Sequence, residues 1–172
     1  SINTQGTSGN DTYKRIIDTS TPANTTLQAI DDIDGGAGID TLQIIANGAA
    51  ANIVTPLFLK NVEKVSVKDV SGTTGTTVNL VNATGVTEVI NDGSVDTVLF
   101  EKIGTAAVTV QDVKTATATT TFSRGAAPVT ADLTINLSNL GTVDVPGTGA
   151  IPAGAVASND GNNDATSVTI NA

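Results

Sequence analysis

Carboxylates and glycines lie close together in one segment of the chain, DDIDGGAGIDTL, which runs from Asp31 to Leu42. Its second part, GGAGIDTL, fits the pattern G-G-x-G-x-D-x-U-x of calcium-binding parallel β-helix repeats, in which U is a large apolar residue. Glycine permits backbone conformations closed to other residues, so carbonyl oxygens can turn toward an ion. Calcium takes about six to eight oxygen ligands from carbonyl and carboxylate groups. The segment therefore predicts a calcium site that includes Asp34 and Asp40.

A second segment, GTSGNDTY, runs from Gly6 to Tyr13 and repeats the spacing of Gly, Asp and a final apolar residue. Two such segments separated by an insertion can form neighbouring turns of the chain with a cation between them. The alternative is a pair of Gly/Asp-rich turns that only begin strands and bind no metal. We expect the metal ligands to come from both segments: Asp11, Asp32, Asp34, Gly36, Gly38 and Asp40. Asp31 is close enough in the sequence to assist.

Short segments of alternating apolar and polar residues must position these turns. Val78, Val89, Val98 and Val108 are spaced about ten residues apart, which leaves room for a strand and a tight turn but little for helices. This rhythm predicts an all-β fold, either a parallel β-helix (β-solenoid) or a β-sandwich. Asn-Gly and Asp-Gly pairs, which favour hairpins, occur at 47–48, 92–93 and 160–161, but most junctions between the alternating segments lack them, so the solenoid is the preferred interpretation.

Three segments interrupt the rhythm. Short helical turns are expected around Tyr13 to Asp18 and around Pro56 to Asn61, and a loop is expected in the Gly/Pro/Asn-rich stretch near the C-terminus. We predict one calcium-stabilised β domain over 1–172. Within it, 1–45 form the calcium-motif region, 46–145 the β core, 146–164 a loop insertion and 165–172 a terminal strand. Because the sequence has no Met and ends in a strand without a turn, we expect it to be a piece of a longer protein.

Composition disfavours catalysis and several kinds of partner. The chain has no His and no Cys, which excludes histidine-based triads and thiol nucleophiles. Paired carboxylates could hydrolyse glycosides, but with one Tyr, three Phe and no Trp there is no aromatic platform for a sugar ring. The net charge of -9 repels phosphate backbones, which disfavours nucleic acid. No segment is long and apolar enough for a membrane span, so no membrane insertion is expected.

Two further features have simpler interpretations. Lys60, Lys64 and Lys68 are expected to form a solvated face, with a lattice contact or an anionic polysaccharide site as the alternative. The segment SNDGNND, Ser158 to Asp164, partly matches a calcium loop, but no Glu follows at the bidentate position. We interpret it as a loop.

Several phrases of the sequence together resemble one protein family. GTSGNDTY, LQAIDDIDGGAGIDTLQI, LKNVEKVSV and TVNLVNATGVTEV are similar to motifs of RTX-type bacterial surface-layer proteins and related secreted surface proteins. The resemblance covers about two thirds of the chain, and Asp11, Asp34, Gly36, Gly38 and Asp40 match the motif positions. It implies type I secretion, calcium-dependent folding outside the cell and assembly into a surface lattice. The chain departs from the RTX pattern because it lacks a long tandem array.

The function expected on these grounds is structural. The chain is expected to be a subunit of an extracellular bacterial surface layer, stabilised and assembled by calcium and self-associating into a lattice or filament. A calcium-dependent adhesin or extracellular filament subunit, with cell-surface polysaccharide as a possible ligand, is the alternative. A polysaccharide-acting β-helix enzyme is the third reading, and no enzymatic activity is expected.

Overall fold

Strands dominate the chain. The computed structural model describes residues 3–54, 58–115, 118–125, 132–140, 142–145, 149–152, 156–158 and 168–171. Within these ranges the one helix is a short 3-10 turn, η1, at Pro22–Asn24. The strands in chain order are β1 (Asn3–Gln5), β2 (Thr12–Asp18), β3 (Asp32–Asp34), β4 (Thr41–Asn47), β5 (Asn52–Val54), β6 (Phe58–Lys60), β7 (Lys64–Asp69), β8 (Thr76–Asn79), β9 (Ala83–Thr84), β10 (Glu88–Asp92), β11 (Val98–Glu101), β12 (Ala107–Gln111), β13 (Thr120–Phe122), β14 (Leu133–Ser138), β15 (Thr142–Val145), β16 (Gly149–Pro152), β17 (Val156–Ser158) and β18 (Val168–Asn171). The predicted all-β class is confirmed.

Three parallel sheets contain most of these strands. Sheet A has the order β1-β3-β6-β9, sheet B the order β18-β14-β12-β10-β7-β4-β2, and sheet C the order β17-β13-β11-β8-β5. Pairing within all three is parallel. Among the described strands only β15 and β16 pair antiparallel. The hairpin-joined strands of the sandwich alternative are therefore limited to that pair in the described part of the chain.

The core consists of side chains stacked from strand to strand. In sheet B the register pairs Leu42 with Val65 and Val65 with Val89, and all three are fully buried. Lys64 and Glu88, one residue earlier in their strands, are also register neighbours and form an ion pair of 2.9 Å at the partly exposed outer surface. Because successive side chains in a strand point to opposite faces, this alternation accounts for the sequence pattern.

Sheet C supplies the aromatic part of the core. Val78, Phe100 and Phe122 are aligned across β8, β11 and β13, and all three are buried. This row contains two of the three Phe residues of the chain. The remaining core residues are mostly aliphatic. Val78 and Val98 lie in sheet C, whereas Val89 and Val108 lie in sheet B. Successive valines of the ten-residue pattern therefore lie alternately in sheet C and in sheet B.

The two predicted helical turns are wrong. The segment Tyr13 to Asp18 is part of β2, which pairs with β4 over its whole length. Local sequence suggested a turn before Pro22, but parallel pairing and burial of alternate side chains determine the conformation. The 3-10 turn begins at Pro22 instead of ending before it. In the second segment Phe58–Lys60 is strand β6, and residues 56–57 lie outside the described residues.

Residues with left-handed backbone conformation bend the chain after strands of sheet B. Gly93, Asp112 and Asn139 have φ values of 69°, 57° and 50°. They are stacked, since Gly93 N–H donates to the carbonyl of the residue before Asp112 at 2.8 Å. Gly, Asp and Asn tolerate this region better than other residues. The Asp92-Gly93 pair, a hairpin signal in the sequence, is thus a corner between sheets B and C.

The C-terminal region is described only in part. Within 146–164 the described residues 149–152 and 156–158 are strands, so this part of the expected loop insertion is not loop. The segment 159–164, with most of SNDGNND, lies outside the described residues. Of the terminal segment 165–172, Val168–Asn171 forms β18 beside β14, with Ile170 62% exposed. In the described residues no helix is long and apolar enough to cross a membrane.

Candidate metal centre

The two Gly/Asp segments form loops stacked directly on each other. Each loop joins a strand of sheet A to the next strand of sheet B, and residues 6–11 lie against residues 35–40. The strands that follow start in register, with Thr12 opposite Thr41. Three backbone hydrogen bonds join the loops and their ends: Gly6 N–H to Asp34 O at 2.7 Å, Ala37 N–H to Thr7 O at 3.2 Å and Thr41 N–H to Asp11 O at 2.9 Å. The predicted neighbouring turns are therefore present in the fold.

Two glycines make this close stacking possible. Gly36 has a φ of +90°, and a Cβ added there would lie 2.3 Å from the carbonyl oxygen of Thr7. Gly38 has a φ of +129°, and its Cβ would lie 2.7 Å from the carbonyl oxygen of Gly9. Real Cβ atoms do not approach backbone oxygens so closely, and L side chains rarely adopt these φ values. The motif glycines thus allow the backbones of the two loops to touch.

Asp40 is the buried carboxylate between the loops. Its side chain is fully buried, and Oδ1 accepts a 2.7 Å hydrogen bond from the backbone N–H of Asp11. Its other oxygen, Oδ2, is also buried and accepts no hydrogen bond. A Cβ added at Gly35 would lie 2.7 Å from Oδ2, so this oxygen lies close against the loop backbone. A buried carboxylate oxygen without a donor is costly and calls for a cation or a proton.

We call residues 6–11 the upper loop and residues 35–40 the lower loop. Asp11 is half-buried in the upper loop. Its Oδ2 accepts hydrogen bonds from the backbone N–H of Thr7 at 2.7 Å and from the Thr7 hydroxyl at 2.8 Å. These two donors favour the charged form, so they lower the pKa of Asp11 below its ordinary value. The carboxylate is thus ionised at neutral pH and held within its own loop. Its position matches that of Asp40, because the two loops are in register.

Asp34 lies at the entrance of the lower loop, but its carboxylate is already engaged. Oδ1 accepts from the side-chain amide of Asn61 at 2.8 Å and from the N–H of Gly36 at 3.1 Å. Oδ2 accepts from the ammonium of Lys60 at 3.2 Å. The pKa of Asp34 is lowered, first by the Asn61 amide and then by Gly36 and Lys60. To bind a cation through Oδ2, Asp34 would have to release Lys60, whose side chain is largely exposed.

The other two acidic candidates lie before the loop. Asp32 is exposed on the outer face of β3, in register with Phe58 of β6. Asp31 is buried, and its Oδ2 accepts from the backbone N–H of Gln28 at 2.9 Å. That bond closes the turn leading into β3. The structure therefore brings Asp11 and Asp40 together, keeps Asp34 at the edge of the loop, and places Asp31 and Asp32 in the preceding segment.

Glu63, which the sequence analysis did not single out, supports the lower loop from the third turn. That turn passes from β6 to β7 through Asn61, Val62 and Glu63 alone and has no Gly/Asp loop. Glu63 Oε2 accepts from the backbone N–H of Asp40 at 2.8 Å. The same bond therefore links the three turns in succession. The Asp40 carboxylate accepts from the backbone N–H of Asp11, and the Glu63 carboxylate accepts from the backbone N–H of Asp40. The signal available in the sequence was NVE directly before a predicted strand.

The pKa of the Tyr13 hydroxyl is affected by the negative charge around the loops. Its side chain is buried, and its hydroxyl lies 3.4 Å from the carbonyl oxygen of Gly35. Burial raises the pKa of the Tyr13 hydroxyl first, and the charges of Asp11, Asp40 and Asp34 raise it further. Three acidic residues of the loops therefore lie near the Tyr13 hydroxyl at the start of β2.

The donor set fits a hard cation if backbone oxygens take part. In the described residues no three acidic side chains converge closely enough to hold a metal by themselves. Calcium takes carbonyl as well as carboxylate oxygens, and a Cβ added at Gly35 would lie 2.7 Å from the unpaired Oδ2 of Asp40 and 1.8 Å from the carbonyl oxygen of Asn61. The predicted metal residues remain a prediction.

Comparisons of the chain with protein-family models, with curated proteins and with solved structures found no match.

Proposed function

We propose that this chain is a structural subunit of an extracellular bacterial surface layer, folded as a β-solenoid that calcium stabilises and helps to assemble. The observation that carries the proposal is the buried, unpaired Oδ2 of Asp40 between two stacked Gly/Asp loops. The loop of residues 35–40 fits the sequence pattern of calcium-binding β-helix repeats, and the loop of residues 6–11 repeats its Gly-x-x-Gly-x-Asp spacing. A cation at this position would neutralise a carboxylate that has no hydrogen-bond donor of its own.

The path of the chain supports the solenoid. Three successive rounds, β3-β4-β5, β6-β7-β8 and β9-β10-β11, each visit sheets A, B and C in that order. The strands of each round pair in parallel with those of the previous one. Such a path gives stacked rounds that contact mainly their neighbours, as in repeat proteins. Extended stacks of this kind suit a structural role better than they suit a catalytic pocket.

The residues that would hold the ion are those nearest the unpaired oxygen. Asp40 and Asp11 would supply carboxylates, and the glycine-rich backbone of both loops would supply carbonyl oxygens. Bound calcium would supply positive charge that ties the loops together. An ion that binds only the folded chain stabilises it by about 2.7 kcal/mol when its concentration is a hundred times the dissociation constant. Calcium at extracellular concentrations would then favour the folded, assembly-competent state.

Thermal unfolding with calcium and with excess chelator tests the metal part. The parent chain and Asp112→Asn should melt at a higher temperature in calcium, whereas Asp40→Asn should lose most of that difference. Asp112→Asn is the matched control because Asp112 is exposed, lies in the corner after β12 and is not among the predicted metal residues. An equal melting temperature of the parent in both conditions would refute calcium stabilisation.

Electron microscopy and light scattering test the structural part. The parent should form ordered sheets or filaments on addition of calcium. A chain that stays monomeric with calcium and binds an external polysaccharide would instead be an adhesin. Cleavage of an acidic glycan would identify the third alternative, an enzyme.

A further inference from the structure

β2 is an edge strand, and the chain itself covers the free side of its C-terminal half. Among the described strands β2 pairs only with β4 and ends sheet B. On the opposite side lie residues 25–27, which follow the 3-10 turn Pro22–Asn24 and are not part of any strand. The free N–H and C=O groups of an edge strand are a template on which another chain can pair. What residues 25–27 do at this edge decides whether it can bind a partner.

Two threonine hydroxyls replace the carbonyls of a neighbouring strand. The Thr26 hydroxyl accepts from the N–H of Ile16 at 2.8 Å, and the Thr25 hydroxyl accepts from the N–H of Asp18 at 3.0 Å. The carbonyl of Ile16 accepts from the N–H groups of Thr26 at 2.8 Å and Leu27 at 3.1 Å. The Thr25 hydroxyl also donates to the carbonyl of Asp18 at 3.2 Å. The outward backbone groups of Ile16 and Asp18 are therefore satisfied without a strand.

Asp18 and Leu27 hold this segment in place. The buried Asp18 carboxylate accepts from the N–H groups of Ser20 at 3.0 Å and Thr21 at 2.8 Å and from the amide of Asn24 at 3.2 Å. Leu27 is 4% exposed and belongs to the main hydrophobic core. One end of the segment is thus fixed by a carboxylate and the other by apolar burial.

We propose that residues 19–27 form an edge cap, which prevents a second copy of this chain from adding a strand to β2. The cap ends sheet B at this side by using hydroxyls that cannot propagate a ladder. The partner excluded is a second copy of this chain, because an uncovered β2 would offer a seven-residue edge strand, and the described strands of sheet B all pair with one another in parallel. The inference goes beyond the proposed function and does not depend on calcium. It assigns any self-assembly to surfaces other than the β2 edge.

The double variant Thr25→Val/Thr26→Val removes both hydroxyls with little change of shape. Sedimentation velocity should show that it forms dimers or larger species at concentrations where the parent is monomeric, in the same calcium concentration. Thr12→Val is the control, because it removes an exposed hydroxyl from β2 itself. Thr25→Ser/Thr26→Ser, which keeps the hydroxyls, should stay like the parent.

A third change identifies the edge that pairs. Ile16 is outward and 38% exposed, and a lysine on an edge strand opposes pairing. Adding Ile16→Lys to the double variant should restore the monomer. Oligomers that persist, or a double variant that stays monomeric and folded, would overturn the proposal.

Hydrogen exchange of the parent gives a test that does not depend on the variants folding. The amides of Ile16 and Asp18 should exchange as slowly as those inside β4. Rapid exchange of both amides, with β4 still protected, would mean that residues 25–27 do not cover the edge.

Discussion

The backbone N–H of Asp11 donates to Oδ1 of Asp40 at 2.7 Å, across 29 residues of sequence. This bond joins equivalent positions of the two Gly/Asp loops and leaves only Oδ2 of the same carboxylate without a partner. Under the calcium proposal Asp40 therefore has two separable roles. One oxygen holds the upper loop on the lower loop, and the other would contact the ion.

Substitutions of Asp40 should separate these roles. Asp40→Asn can keep an oxygen acceptor for the N–H of Asp11 but removes the charge, so it should weaken calcium binding at least about tenfold, or about 1.4 kcal/mol. Asp40→Ala removes the acceptor as well and should also increase hydrogen exchange over residues 31–45 before it affects later strands. Calorimetry and hydrogen exchange measure the two effects. Equal protection of 31–45 in the Ala variant and the parent would show that Asp40 is only a turn residue.

Glu63 should act by positioning Asp40. Its carboxylate accepts the Asp40 N–H at 2.8 Å, and leaving a buried N–H without an acceptor costs about 1–3 kcal/mol. Glu63→Ala should lower the free energy of unfolding by about this amount and increase exchange of the Asp40 amide. Glu63→Gln keeps an acceptor and should restore most of the stability. If Gln is as damaging as Ala, the charge of Glu63 matters instead of its hydrogen bond.

The sequence predicted the parts of the structure that depend on local pattern. Alternation identified buried positions such as Val65 and Val89, and the shared Gly/Asp spacing indicated that two loops would be neighbours. It failed where distant pairing decides the conformation. Tyr13 to Asp18 became a strand because β4 lies beside it, and the role of Glu63 depends on the register of the third turn with the second. Neither relationship is encoded in neighbouring residues.

Because the loops are stacked, replacing Gly36 by alanine should destabilise the fold much more than the same change at another glycine with a positive φ. Gly36→Ala combines a φ of +90° with a Cβ 2.3 Å from the Thr7 carbonyl oxygen. Gly104→Ala is the matched control, because Gly104 has a φ of +61° but no atom within 4 Å of the added Cβ. The control should lose about 1–2 kcal/mol from the left-handed backbone alone. Urea unfolding should show a clearly larger loss for Gly36→Ala, and equal losses would mean that the loops can separate at no cost.

Acid should weaken the edge cap through Asp18. Hydrogen bonds from the Thr21 backbone, and then from the Asn24 side chain, lower the pKa of the Asp18 carboxyl in the folded chain. A carboxyl whose pKa is lower in the folded than in the unfolded state stabilises the fold fully above the unfolded value, about 3.9. That stabilisation is lost as the pH falls through the folded pKa. Stability should therefore be insensitive to Asp18 between pH 6 and 8 and should fall below about pH 4.

Urea unfolding of the parent and of Asp18→Asn across this pH range isolates the Asp18 contribution. Asp11 and Asp34 also have lowered pKa values and add to the acid sensitivity of both proteins. The difference between parent and variant removes their contribution, because both chains keep them. The parent should be more stable than Asp18→Asn at neutral pH. The difference in free energy of unfolding (the gap) should narrow as the pH falls, since protonation weakens the hydrogen bonds that the Asp18 carboxylate accepts. A gap that is constant from pH 7 to pH 3 would mean that the charge of Asp18 does not hold the cap.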